Sequence, residues 1–282
     1  MQTKPTFLIC CLFAALISCN DQSGAAANGA KEPIGDSTSK TKSVKEDMVS
    51  YDVGGTNFKS YVAYDEKKTG PRPIILVVPE WWGLTDYPRM RAKMLAEMGY
   101  LAIAVDMYGD GTIAKDPKEA QAAAMPFYDS LQMAKARLDA ALAKAKSLPQ
   151  ADTSQVVAIG YCFGGTMVLN YAKMGAPVAG VVSFHGNLSG VAPQKGTKAQ
   201  FLICHGGADG FVPKQQVDDF RKSMDSAGVS YIFKTYDSAT HAFTNPDATA
   251  KGQQFNMPIK YNGAADTASW NDMKAFFGRI LR

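Results

Sequence analysis

Histidine is scarce in this chain of 282 residues: there are three, and the five cysteines form neither a CxxC pair nor a cysteine-histidine group at zinc-ligand spacing. Structural zinc needs closely spaced sulfur or imidazole ligands, so such a site is excluded, and no metal or cofactor is expected. Runs of Lys and Arg interleaved with aromatics are also missing, and the formal net charge is only +4. A nucleic-acid surface needs a concentrated basic footprint to displace counterions, so nucleic acid is excluded as a partner. What remains is a composition 46% apolar and 20% charged, that of a globular protein with room for one large core or two small ones. Composition and charge say nothing of oligomeric state.

The chain opens on a targeting segment. Lys4 supplies a positive start, residues 7–17 form an apolar run far too short to cross a bilayer as a helix, and LISC at residues 16–19 closes it. The pattern resembles a bacterial lipobox, in which Cys19 becomes the lipidated first residue once residues 1–18 are removed. An ordinary secretory signal with an incidental cysteine is the other reading. Several acyl chains on one cysteine make a lasting tether where a single chain does not. Residues 19–48, full of Ala, Ser, Thr, Gly and Lys, read as a flexible stalk, which leaves 49–282 as a domain exported and lipid-anchored to a cell-envelope membrane, on its periplasmic or surface face. Cys10 and Cys11 leave with the signal, so the domain keeps Cys162 and Cys204. Cys204 ends QFLIC, a buried-strand pattern where cysteine serves as a small hydrophobe, and no disulfide is expected.

Within the domain, strand-like and helix-like segments alternate. YDVGGTNFKSYVAY, with Gly54 and Gly55 at its turn, reads as an antiparallel hairpin. IILVVP, YLAIAVDM, VVAIGY, VAGVVSF and QFLIC are short continuous apolar runs, the signature of strands buried on both faces, and SYIFKTY is a last strand. Helical patterns fill residues 87–98, 118–148, 166–174, 214–227 and 265–281. Right-handed crossovers then give one α/β domain, a mostly parallel sheet with helices on both faces and the antiparallel hairpin at its start.

Ligands of open α/β sheets bind beyond the carboxyl ends of the strands. Glu80, Cys162, Asp209 and His241 each follow such an end. Gly160-Tyr161-Cys162-Phe163-Gly164 sits where a strand turns into a helix, and its glycines permit a turn too sharp for side chains at those positions. The turn sets Cys162 at the positive end of a helix, which favours a thiolate. Cys162, Asp209 and His241 follow the chain order nucleophile, acid, histidine of α/β-hydrolases. His241 would accept the sulfur proton and Asp209 would fix its ring. Asp106 and Asp237 are rival acids of less suitable position, and His185 and His205 read as packed, hydrogen-bonded histidines.

PEWWGL, GYCFGG, HGGADGFVP, HAFTNP and the closing ADTASWNDMKAFF resemble the dienelactone hydrolase family, the cysteine-using branch of the α/β-hydrolase fold, over residues 49–282. The resemblance implies that Glu80 contacts the cysteine and takes its proton when substrate binds. It also implies an oxyanion hole made by the backbone N–H groups of Trp81 and Phe163, and cleavage of a small-molecule ester or lactone through a thioester on Cys162. Trp82, like Trp81, would line an apolar pocket wall or belong to the core. One departure stands out: the family clamps a substrate carboxylate with arginines, yet none occurs between Arg91 and Arg137 or between His241 and Arg279. Arg89 and Arg91, on the helix after PEWWGL, are either substitutes or, as exposed helical arginines ordinarily are, simply solvated. A membrane-tethered binding protein without catalysis would share the stalk and sheet, though it would not need the four polar residues together. The deglycase and intracellular-peptidase family also pairs an early glutamate with an elbow cysteine, but places histidine after it where this chain has Phe163. A thiol redox side activity of Cys162 is also compatible with the residues.

Overall fold

The computed structural model describes residues 43–281. The signal at 1–18, Cys19 and the stalk as far as residue 42 lie outside the described residues.

In chain order the elements are β1 (Val44–Val53), β2 (Thr56–Asp65), β3 (Arg72–Val78), α1 (Asp86–Glu97), β4 (Leu101–Ala104), α2 (Pro117–Asp129), α3 (Leu131–Lys146), β5 (Ala151–Tyr161), α4 (Phe163–Lys173), β6 (Gly180–Phe184), β7 (Gln200–Gly206), α5 (Lys214–Ser226), β8 (Tyr231–Tyr236), α6 (Ala248–Phe255) and α7 (Gly263–Ile280). The strands form one sheet in the order β1-β2-β4-β3-β5-β6-β7-β8. β1, β2 and β4 pair antiparallel, and every pairing from β4 through β8 is parallel. This is the expected α/β-hydrolase architecture.

Strand periodicity divides the core in two. Ile74, Leu76 and Val78 of β3 point to the face covered by α2 to α5, in one apolar cluster with Phe127, Leu138, Met167 and Phe220. Ile75 and Val77 point to the other face, in a second cluster with Leu95 of α1 and Phe276 of α7. Each such side chain withdrawn from water contributes about 1.5–3 kcal/mol, so the central strands are held from both sides and their carboxyl ends form a rigid rim.

Two boundaries differ from the sequence reading. β1 takes in residues 44–48, assigned above to the stalk, because Val44 through Met48 pair in register with Asp65 through Tyr61. The stretch VKEDM is a charged edge strand, and edge strands carry the polar composition of linkers. The helical pattern at 118–148 is two helices. Ser130 is extended (φ −135°, ψ 90°), and its hydroxyl accepts the Met133 N–H to start α3. It ends a turn already weakened by Pro126, which has no N–H to donate.

Candidate active site

β5 hands over to α4 through Cys162, whose backbone lies at φ 51°, ψ −115°. L-residues rarely adopt that conformation, and the surrounding glycines explain how it is imposed. A Cβ on Gly160 would fall 2.2 Å from the Gly164 carbonyl, and one on Gly164 would fall 2.3 Å from the Val78 oxygen. The Gly164 N–H donates to the Pro79 carbonyl at 3.0 Å, which ties the start of α4 to the loop carrying Glu80 and Trp81. Phe163 opens α4, where first-turn amides have no intrahelical acceptor and point outward.

The loops after β7 and β8 bring Asp209 and His241 together. His241 Nδ1 and Asp209 Oδ2 are 2.8 Å apart, with the Asp209 side chain wholly buried and His241 12% exposed. The second Asp209 oxygen accepts the Phe211 N–H at 2.9 Å. A carboxylate acceptor puts the His241 proton on Nδ1 and leaves Nε2 turned toward the cleft. Burial alone would push the His241 pKa down. Electrostatic interaction with Cys162 and hydrogen bonds to Asp209 and Cys162 outweigh it and raise the pKa well above the ordinary histidine value.

Glu80 enters the same cleft from the end of β3. It is buried, and its Oε2 accepts from Asn245 Nδ2 at 2.6 Å. The Asn245 amide is oriented by its oxygen, which accepts the Asp247 N–H at 2.9 Å. Burial raises the Glu80 pKa, against the Asn245 bond and the positive charge of Lys251, which lower it.

The cleft has a volume of about 490 Å³ and holds Cys162, His241 and Glu80 together with Trp81, Trp82, Tyr128 and Phe211. Trp82 is both wall and core: it is buried, edge-on to Trp81 and stacked on Phe255 of α6. Neither Arg89 nor Arg91 reaches the cleft, so their reading as carboxylate clamps is corrected. Arg91 is buried, pairs with Asp266 at 2.5 Å and donates to the Thr244 carbonyl at 2.7 Å. Arg89 pairs with Asp86 at 3.7 Å. Lys251 on α6 is the lysine that faces the cleft, its Nζ 4.7 Å from the Trp82 ring centroid.

The other sequence candidates have structural duties. Asp106 accepts the backbone N–H groups of Lys59, Tyr108, Gly109 and Gly111 at 2.9–3.2 Å, bracing a turn. Asp237 is exposed. His185 is packed and hydrogen-bonded through both ring nitrogens, whereas the buried Nδ1 of His205 lacks a hydrogen-bond partner. Cys162 and Cys204 are free, and burial pushes the Cys204 thiol up to about 12. Asn245 and Lys251 were missed from sequence. Asn245 lay within the quoted HAFTNP, but only the fold reveals its partner; α6 is eight residues long, too short to give a periodic signal. No group of three or more His, Cys, Asp or Glu among the described residues is placed to hold a metal.

A model of the dienelactone hydrolase family matches residues 58–281. A Methylorubrum extorquens protein provisionally named carboxymethylenebutenolidase is 31% identical over 187 residues, 62% of this chain and 64% of that protein. The chain thus spans less than two-thirds of that relative. An Escherichia coli protein of the same provisional name is 27% identical over 237 residues, 79% of this chain and 83% of that one. Among solved structures, a dienelactone hydrolase-like promiscuous phosphotriesterase from metagenomic libraries superposes with a TM-score of 0.79 at 31% identity, covering 84% of this chain and 98% of that one.

Proposed function

The chain belongs to the dienelactone hydrolase family, and from that premise we propose that it cleaves carboxylic esters or lactones through Cys162, His241 and Asp209. The observation that carries the reading is the 2.8 Å His241–Asp209 bond beside an elbow cysteine in one cleft. In the proposed cycle Cys162 attacks the carbonyl carbon as a thiolate, its proton having passed to His241. The carbonyl oxygen becomes an oxyanion, received by the N–H groups of Trp81 and Phe163. The C–O bond then breaks, the alkoxide takes the proton from His241, and a thioester is left on Cys162. Water gives a proton to His241 and attacks the thioester, and the acid departs as the sulfur is regained. Thiolate is a better leaving group than an alkoxide, which suits aryl esters and enol lactones.

Glu80 is proposed as a second acceptor for the sulfur proton. A carboxylate with a raised pKa is a stronger base than a free one, and burial supplies the rise. Glu80→Gln keeps the size and removes the basicity. Turnover is expected to fall about 10²-fold with the thermal midpoint held or raised, since a buried carboxyl is replaced by an amide. Wild-type turnover in this variant would assign the proton to His241 alone.

The aromatic walls fit a planar or apolar group, and Lys251 is proposed to receive any acidic substituent. A panel of neutral aryl esters, carboxylate-bearing aryl esters and enol lactones tests both statements. Lys251→Met is expected to raise KM about tenfold for the carboxylate-bearing members only, the worth of one charge-assisted contact. An inert, folded wild type across the whole panel would turn the reading toward a tethered binding protein.

A further inference from the structure

We propose that His185 is a positioning residue for the nucleophile: pinned by Thr244, its imidazole accepts the Cys162 backbone N–H and holds the elbow in the conformation that presents the sulfur to His241. This rests on the reading of Cys162 as nucleophile.

The bond geometry fixes the imidazole's protonation. His185 Nδ1 lies 3.1 Å from the Cys162 nitrogen, a backbone donor, so Nδ1 carries a lone pair and the ring proton sits on Nε2. Nε2 donates to Thr244 Oγ1 at 2.7 Å. The same hydroxyl meets Tyr87 OH at 2.6 Å, and Arg91 reaches the Thr244 carbonyl and Asp266, so the brace is tied to both α1 and α7. His185 itself stands at φ 43°, a left-handed conformation that is strained for a non-glycine residue. The chain spends that strain where it brings the ring beneath the elbow.

The surroundings keep the ring neutral. It is buried, edge-on to His241 at 5.3 Å between centroids and close to Phe243 and Tyr161, and the Thr244 hydroxyl that holds it leads on to Tyr87 and Arg91. Burial first, then the charges of His241 and Arg91, push its pKa well below the ordinary value. An imidazolium would have no lone pair for Cys162. The Cys162 N–H also reaches the Phe184 carbonyl at 3.0 Å, so loss of His185 leaves the donor satisfied and acts on orientation. One short segment, 241–245, thereby carries His241, the Thr244 grip on His185 and the Asn245 grip on Glu80.

The test compares His185→Asn, whose amide oxygen can stand near the Nδ1 position, with His185→Gln, whose amide nitrogen reaches toward Thr244 but offers Cys162 no acceptor. Thr244→Val removes the grip without touching either ring. On an aryl ester, His185→Gln and Thr244→Val are expected to lose about tenfold in kcat with KM within about twofold, and His185→Asn to recover most of that loss. Alkylation of Cys162 by iodoacetamide should slow in the same order, and it reads sulfur presentation without a substrate. Cys204, fully buried, does not compete. Equal losses in His185→Asn and His185→Gln that track falling thermal midpoints would reduce His185 to packing and overturn the proposal. Unchanged kcat and alkylation in His185→Gln and Thr244→Val would overturn it as well. A wild type inert to esters yet alkylated in the predicted order would sink the hydrolase reading and leave the brace standing.

Discussion

Cys162→Ala is expected to lower kcat/KM on aryl esters by at least about 10⁴-fold, and Cys162→Ser by nearly as much. Alanine removes the proposed attacking atom, so only the cleft, the two proposed oxyanion amides and His241 remain to act on bound water. Serine is the sharper test. The site raises the pKa of His241 partly through its interaction with Cys162, and in the proposed cycle that sulfur carries a charge that a hydroxyl does not carry at neutral pH. Serine therefore loses the thiolate–imidazolium pair even though its oxygen fits the elbow. A double variant with His241→Ala should be no worse than Cys162→Ala alone, because members of one catalytic unit are not additive. Intact-mass measurement with a slowly deacylated ester should find one acyl group on the wild type and none on Cys162→Ala. An adduct that persists in Cys162→Ala, or activity within tenfold of wild type, would remove Cys162 from the proposed role. Cys204 is a poor alternative carrier: it is fully buried, and its thiol is pushed up to about 12.

How far the sequence alone reaches can be followed through particular residues. Val77 and Ile159 belong to continuous apolar runs, and both-face burial is the physical cause of such runs, so the sheet was legible. The elbow was legible because Gly160 and Gly164 answer a steric demand that no other residue meets. Asp209 and His241 could be paired from their chain order and confirmed neighbours by geometry. Arg91 could be read as a carboxylate clamp or a solvated residue, and is neither, because a single arginine on a helix carries no mark of which way it faces; it turns inward to Thr244 and Asp266. Asn245 and Lys251 depend on how the chain returns over the cleft through α6 and the 257–259 segment. That return is set by contacts such as Gly252, where a Cβ would come within 2.5 Å of the Ile259 oxygen. Contacts of this kind leave no period in the sequence. The lipobox reading concerns Cys19, outside the described residues.

Asp209→Asn is expected to cost about 10³–10⁴-fold in kcat/KM, by analogy with the same change in a serine triad, and to move the basic limb of the pH profile downward. The structure supplies the reason for the size. Asp209 Oδ1 accepts the Phe211 N–H, so an asparagine is held with its carbonyl there and its NH₂ toward His241. His241 Nδ1 must then accept, its proton moves to Nε2, and the nitrogen facing the sulfur can no longer take a proton. The wild-type His241 pKa is raised despite burial, by interaction with Cys162 and the bonds to Asp209 and Cys162. A group raised on folding contributes stability that is fully present below its unfolded value, about 6.5, and is lost as pH rises through the folded value. The stability gap between wild type and Asp209→Asn should therefore be widest at pH about 5–6.5, where the unfolded carboxylate is ionised and the unfolded imidazole charged, and should narrow as pH rises. Denaturant titrations at several pH values measure that gap, and stopped-flow hydrolysis measures the basic limb. A loss below tenfold with an unmoved limb would mean that His241 keeps its tautomer without Asp209. A gap that widens with pH would mean that Asp209 stabilises a neutral His241, and the thiolate–imidazolium pair would have to be abandoned as the reactive form.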